Sequence, residues 1–169
     1  MTLRDATAAD APAIADLLNG FIRETTISFS TRERTPDEIV QDIASRQQAG
    51  LPWIVLQGRQ GLAGYATAAP FRRGEGYAKT LEHSLFVAPD LQRKGAGRAL
   101  FDELETRLEA QGAMSMVAGI SAENAPALRF HRQVGFSEVG RVERAGMKFG
   151  RAIDLLLMQK HLSPSSSNG

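Results

Sequence analysis

The 169 residues include 43% hydrophobic and 23% charged side chains, the size and balance of one compact domain with a substantial core rather than of two full domains. Twenty Lys and Arg against 19 Asp and Glu leave a formal charge of +1, too small for phosphate neutralisation alone to drive nucleic-acid binding. The chain contains no cysteine, which excludes disulfides, thiolate nucleophiles and the usual structural zinc sites, and His83, His131 and His161 are too scattered for a metal-ligand motif, so no metal is expected.

In chain order, Leu3 to Thr7 is predicted to be a short strand. Asp10 is expected to cap a helix in which Ile14, Leu17, Leu18, Phe21 and Ile22 recur at helical spacing. Thr35-Pro36-Asp37-Glu38 reads as a capping box with proline at the first helical position, ahead of Ile39 and Ile43 on one face; this helix should stop near Gly50-Leu51-Pro52. Trp53 to Gln57 and Leu62 to Ala69 flank the turn Gly58-Arg59-Gln60-Gly61 and form a predicted hairpin. Leu81 to Val87 is a third strand. A helix from about Gly97 to Gln111 carries Leu100, Leu104 and Leu108 on one face and ends at Gly112. Met114 to Ile120 is a buried strand, Asn124 to Val134 a short helix stopped by Gly135, and Phe136 to Glu143 and Ala152 to Gln159 are late strands. This order predicts an α/β fold, a mixed sheet with helices on its faces. One domain over residues 1–162 and a disordered Ser-rich tail over 163–169 are expected.

No apolar run approaches the roughly 20 residues that span a bilayer, and the start MTLRDATAAD lacks the apolar stretch of a signal peptide. No membrane partner and a cytoplasmic location are therefore expected.

The chemistry concentrates where the Leu81 to Val87 strand runs into Gln92-Arg93-Lys94-Gly95-Ala96-Gly97-Arg98. Two glycines let the backbone turn tightly and approach a ligand, and the helix start that follows points unpaired N–H groups at the same place. Such a place suits a pyrophosphate, with Arg93, Lys94 and Arg98 adding charge; the alternative is a plain helix N-terminus with solvated cations. The segment is not a P-loop, since no Gly-Lys-Ser or Gly-Lys-Thr follows, nor a dinucleotide fingerprint, since Leu100 stands where the third small residue belongs.

Gln92-Arg93-Lys94-Gly95-Ala96-Gly97 fits Gln/Arg-x-x-Gly-x-Gly/Ala, the acetyl-CoA loop pattern of the GNAT acetyltransferase superfamily. Together with the preceding strand and the later Asn124-Ala125-Pro126-Ala127-Leu128-Arg129-Phe130-His131-Arg132-Gln133-Val134-Gly135-Phe136, the sequence resembles that superfamily from Leu3 to about Leu162. Within it, Leu81-Glu82-His83-Ser84-Leu85-Phe86-Val87 and Met147-Lys148-Phe149-Gly150-Arg151 are similar to the phosphinothricin and methionine-sulfoximine acetyltransferase branch. Phe71 departs from that branch, where a Trp is usual, and so does Ala78, where one subgroup has an Arg.

The resemblance implies a mainly antiparallel sheet with helices on both faces, acetyl-CoA as donor, a small-molecule amine as partner and a homodimer. It implies that backbone groups around Leu85, Phe86 and Val87 pair with the pantetheine arm while Asn124 holds the arm from the other side. Asn124 also reads as the N-cap of its helix, and the two roles can coexist. Glu82 matches the position of a general base, which an amine needs because it arrives mostly as an ammonium; the rival reading is a strand-end Glu in a surface ion pair. His131 stands where many relatives carry a Tyr acid, and either protonates the departing thiolate or only hydrogen-bonds near the thioester. Alternation puts Glu82, Ser84 and Phe86 on one strand face and His83, Leu85 and Val87 on the other.

For the acceptor, Arg72, Arg73 and Tyr77 supply cations and a hydrogen-bonding aromatic suited to an acidic amino-acid analogue. Phe29, Glu82 and Ser84 complete the candidate acceptor set. With no cysteine to carry an acyl group and no base evident beside Ser84, direct transfer within a ternary complex is expected. The leading acceptors are L-phosphinothricin, methionine sulfoximine and methionine sulfone. Another small amine, a protein N-terminus and a non-catalytic acyl-CoA-binding regulator are the alternatives.

Overall fold

A computed structural model describes residues 1–164. Most of the expected tail lies outside the described residues; of its first two members, Ser163 donates its amide to the Glu109 carboxylate at 2.9 Å. The elements run β1 (Thr2–Asp5), α1 (Ala11–Glu24), α2 (Pro36–Gln48), β2 (Trp53–Gly58), β3 (Gly61–Pro70), β4 (Thr80–Val87), α3 (Ala96–Ala110), β5 (Ser115–Ser121), α4 (Ala125–Gln133), β6 (Ser137–Lys148) and β7 (Arg151–His161). One sheet of seven strands takes the order β1-β2-β3-β4-β5-β7-β6. Every neighbouring pair is antiparallel except β4 and β5, which run parallel. This is the mixed, mainly antiparallel α/β sheet that the sequence led us to expect.

Strand alternation builds two cores. Ile54, Leu56, Ala66 and Ala68 join Leu100, Phe101, Leu104 and Leu108 of α3 and Leu128 of α4 on one face of the sheet. Trp53, Val55 and Tyr65 join Ile14 of α1 and Ile39 and Ile43 of α2 on the other. The helices thus cover both faces in pairs, with α1 and α2 against α3 and α4. The face that carries α1 and α2 has most of its helical cover over β2 and β3.

Two local expectations need correction. Asp10 does not cap α1: its carboxylate turns back to accept from the amide of Thr7 at 2.8 Å and pairs with both terminal nitrogens of Arg4. The Arg4 hydrogen bonds hold its pKa down to about 2. The cause is a 3-10 turn over Ala8–Asp10, which puts Asp10 already in helical conformation. The capping box at Thr35 forms as the sequence predicts, with the Thr35 side chain accepting from Glu38 and the Glu38 carboxylate from Thr35.

The second correction concerns β6, which extends to Lys148 rather than ending at Glu143. The run Glu143-Arg144-Ala145 lacks alternation because the strand is irregular there: the register with β7 shifts between Val142 and Gly146. Phe149 and Gly150 close the hairpin, both with positive φ.

Candidate functional site

The sheet splits between its two parallel strands. Pairing joins Thr80 to Ser115, Leu81 to Met116 and Glu82 to Val117, and then stops. Beyond that point β4 continues to Val87 alongside β3, while β5 continues to Ser121 alongside β7. From His83 to Val87 the β5-facing edge of β4 therefore lacks a strand partner, which leaves backbone donors and acceptors available to an extended, amide-bearing ligand. Leu85, Phe86 and Val87 lie along this edge. Their side chains serve the cores: Val87 is buried, Leu85 packs against the α3 side, and the Phe86 ring stacks on Tyr65 on the α1 side.

At the mouth of the split, the chain turns sharply into α3. Arg93 and Gly95 both take positive φ, 62° and 84°, and at Gly95 this left-handed conformation is the reason for glycine, since a Cβ there would meet nothing within 4 Å. Gly95 is also the N-cap, and having no side chain it leaves the first amides of α3 uncapped. The amides of Ala96, Gly97 and Arg98 point out of the helix start without an acceptor among the described residues, a geometry that favours an anion. Gly97 differs from Gly95 in having no positive φ. A Cβ on it would face inward and make only ordinary van der Waals contacts, 3.7 Å from Val87, 3.8 Å from Phe130 and 3.9 Å from Leu85.

The cations of the loop divide in the same way. Arg98 is held by Asp102 one turn along, at 2.7 Å, whereas Arg93 and Lys94 are exposed and make no ion pair among the described residues. Gln92 reaches back to the Val87 carbonyl at 3.4 Å. On the opposite wall, Asn124 caps α4 by accepting from the Ala127 amide at 3.2 Å; its amide NH2 makes no hydrogen bond within the protein, so capping and ligand contact are compatible.

Glu82 stands at the apex of the split. Its side chain points to the face of α1 and α2, half-buried, with no ion pair and no hydrogen bond among the described residues. A Cβ on Gly119 of β5 would lie 3.2 Å from its Oε1 and 3.6 Å from Leu155 of β7. The carboxylate therefore rests over a bare stretch of β5, beside an apolar side chain. Desolvation raises its pKa above the usual carboxylate range, opposed by the charge of Arg72. Ser84, on the same face, is exposed and has no base within hydrogen-bonding distance.

His83 faces the other way and meets His131 of α4, with the two Nε2 atoms 3.1 Å apart. The Nδ1 of His131 lies 2.7 Å from the Ala127 carbonyl, so it carries a proton and donates. In neutral His131 the Nε2 is then the acceptor, and His83 donates to it from its own Nε2. This leaves Nδ1 of His83 without a hydrogen, and that atom is indeed buried without a partner of good geometry. Phe101, Phe130 and Phe136 enclose the pair. Desolvation first, then the neighbouring His131, pushes the His83 pKa down to about 3, against the weaker pull of the Val117 backbone. Desolvation also lowers that of His131. Both ring nitrogens of His131 are thus engaged inside the core.

The candidate acceptor residues fall on the Glu82 side. Pro70, Phe71, Arg72, Arg73, Gly74 and Tyr77 line an open depression of about 810 Å³. Arg72 lies over the Phe71 ring, 4.9 Å from its centroid, and is the cation that acts on Glu82. Phe29, on the segment after α1, sits across the face on Gly146 of β6. On the same face, Gly119 of β5 lies beside both Glu82 and Leu155 of β7. The sequence reading gave no site role to His83, Gly119 or Gly146 and met Lys148 only within the branch-like run from Met147 to Arg151; a glycine inside the expected strand Met114 to Ile120 was the visible signal at Gly119.

The acetyltransferase (GNAT) family model matches residues 14–136. The chain belongs to this family. It is 36% identical over 158 residues to a phosphinothricin N-acetyltransferase of Streptomyces viridochromogenes, covering 94% of this chain and 86% of the relative. It is 35% identical over 162 residues to an L-methionine sulfoximine/L-methionine sulfone acetyltransferase of Salmonella typhimurium, covering 96% and 95%. The structure superposes with a TM-score of 0.92, at 30% identity, on a phosphinothricin acetyltransferase of Sinorhizobium meliloti solved with acetyl-CoA, covering 99% of this chain and 91% of the other. This GNAT protein is accordingly an acetyl-CoA-dependent N-acetyltransferase. The split strands, the uncapped α3 and the free edge of β4 suit a long ligand with amides along one arm and a pyrophosphate at its end.

Proposed function

We propose that the enzyme acetylates the amino group of a small L-amino-acid analogue of the phosphinothricin or methionine sulfoximine and sulfone type, with Glu82 as general base. Acetyl-CoA supplies the activated acetyl group. The arm runs along Leu85 to Val87 opposite Asn124, and the pyrophosphate lies at Arg93 to Gly97. Arg72 and Arg73, with Tyr77, hold the acceptor's anionic or polar end by charge-assisted hydrogen bonds. Ser84 and Phe29 border the amine. Glu82 takes the ammonium proton, directly or through one water, and the freed nitrogen attacks the thioester carbonyl. A strong acid is not needed for departure, since an alkyl thiol ionises near pH 8.5, as cysteine does. His131 holds its place in the core and thereby the position of α4.

The observation that carries this reading is Glu82 itself, an unpaired carboxylate with a raised pKa at the apex of the split. Transfer is direct, because Ser84 has no base and the chain has no cysteine. The test is a free-thiol release assay with phosphinothricin, methionine sulfone, a neutral alkylamine and an N-terminal peptide. Turnover highest on the amino-acid analogues supports the reading, and turnover highest on the alkylamine or the peptide replaces the acceptor class. Exposed Val139, Val142, Met147 and Phe149 on the β6–β7 hairpin give the expected homodimer an apolar face, which light scattering checks.

A further inference from the structure

Gly146 and Lys148 of β6 sit two residues apart on the face that carries Leu155 and Glu82. A Cβ at Gly146 would fall 2.3 Å from Cδ2 and 2.6 Å from Cγ of Phe29, so the ring lies directly on the strand. Gly146 has no positive φ; the close approach of the ring, and not the backbone conformation, calls for glycine there. Lys148 is only 4% exposed. Its ammonium donates to the Ser28 carbonyl at 2.6 Å and lies 5.4 Å from the centroid of the Phe149 ring, and it has no carboxylate partner among the described residues. One strand further, Arg151 pairs with Glu123 through both terminal nitrogens, and hydrogen bonds from Arg151 and then Thr26 hold the Glu123 carboxyl below its usual range. The segment after α1 is thus fastened to the far hairpin and its neighbour at Thr26, Ser28 and Phe29.

We propose that Gly146 and Lys148 are specificity-determining residues, which seat Phe29 and Ser28 against β6 and so fix the depth of an acceptor cavity floored by Leu155 and Gly119 and ended by Glu82. The assignment rests on the reading of this face as the acceptor side. A glycine that admits an aromatic ring and a lysine that holds the next carbonyl down both act on the same wall. Loosening either one deepens or reshapes the cavity without touching the split that takes the donor.

The test compares kcat/KM for methionine sulfone and for the bulkier L-phenylalanine in wild type, Phe29→Ala, Lys148→Met, Lys148→Arg, Gly146→Ala and Gly146→Ala/Phe29→Ala, with acetyl-CoA affinity measured by calorimetry and hydrogen exchange read over residues 26–30. Lys148→Met and Phe29→Ala should shift the ratio about tenfold towards phenylalanine, Lys148→Arg should keep most of the wild-type ratio, and acetyl-CoA affinity should stay within about twofold in all variants. Gly146→Ala should disturb the ratio alone but add nothing to Phe29→Ala, because the ring it displaces is gone. Lys148→Met should lose amide protection at 26–30. An unchanged ratio in Lys148→Met and Phe29→Ala, or additive effects of Gly146→Ala and Phe29→Ala, overturns the proposal. If wild type acetylates neither amino acid, the acceptor class proposed above fails, and the exchange result judges the clamp: lost protection in Lys148→Met supports it, and retained protection overturns it.

Discussion

Glu82 and His83 are neighbours in sequence and opposites in surroundings. Glu82 projects onto the α1 and α2 face, to the side of their main cover over β2 and β3, makes no ion pair or hydrogen bond among the described residues, and has its pKa raised by partial burial. His83 projects onto the α3 and α4 face, is enclosed by phenylalanines, and is kept neutral with a pKa pushed down to about 3. Burial acts on both, and in each case it disfavours the charged form. The outcome differs because one group can still be reached by a ligand and has its affinity for a proton raised, while the other is locked to His131 and held neutral. A single strand thus carries a reactive group on one side and a structural clasp on the other, set one residue apart by the period of the strand.

Substitutions on the two faces should separate cleanly. The largest effect belongs to Glu82→Gln, which should lower turnover by about a hundredfold or more while acetyl-CoA affinity, read by calorimetry, stays near wild type. Next comes Arg72→Ala. It removes charge-assisted contacts worth about 1.5–3 kcal/mol, so kcat/KM for phosphinothricin should fall roughly ten- to a hundredfold, with a smaller loss for a neutral alkylamine. Because the Arg72 charge lowers the Glu82 pKa, its removal should also move the acid limb of the pH profile to higher pH.

On the other face the readout is stability rather than rate. An unfolded His83 titrates near pH 6.5 and the folded one near 3, so between those values the unfolded chain binds a proton that the folded chain refuses. Stability should therefore be complete above about pH 6.5 and fall on acidification by up to about 1.4 kcal/mol per pH unit. His83→Phe should flatten that slope in denaturant titrations at pH 7 and 5; a slope as steep as wild type would remove His83 from the acid response. The smallest effect is that of Arg98→Ala, which should weaken acetyl-CoA by no more than about threefold, since Asp102 already occupies the guanidinium and the α3 amides remain.

The fold was largely legible because each element leaves a local mark: the turn Gly58 to Gly61 between two apolar runs, the leucines of α3, the capping box at Thr35. Asp10 was misread because a carboxylate before a helix has two outlets, and Arg4 and Thr7, both outside the helix, won it. β6 was cut short at Glu143 because its register shift breaks the alternation that identifies a strand. At the site, the turn at Gly95 and the position of Glu82 could be anticipated from spacing and resemblance. The engagement of His131 by His83 could not, since it joins residues 48 apart and depends on which face each ring takes. The contacts of Lys148 and Gly146 were invisible for the same reason: their partners, Ser28 and Phe29, come from the other end of the chain.

The central claim is that the half-buried, unpaired carboxylate of Glu82 takes the acceptor's proton. The pH dependence of kcat/KM for the best acceptor, compared between wild type and Glu82→Gln, tests it most directly. The wild-type profile should show an acid limb with an apparent pKa above the ordinary glutamate value of 4.5, and that limb should vanish in Glu82→Gln while the limb due to the acceptor amine remains. An acid limb that persists unchanged in Glu82→Gln would contradict the account.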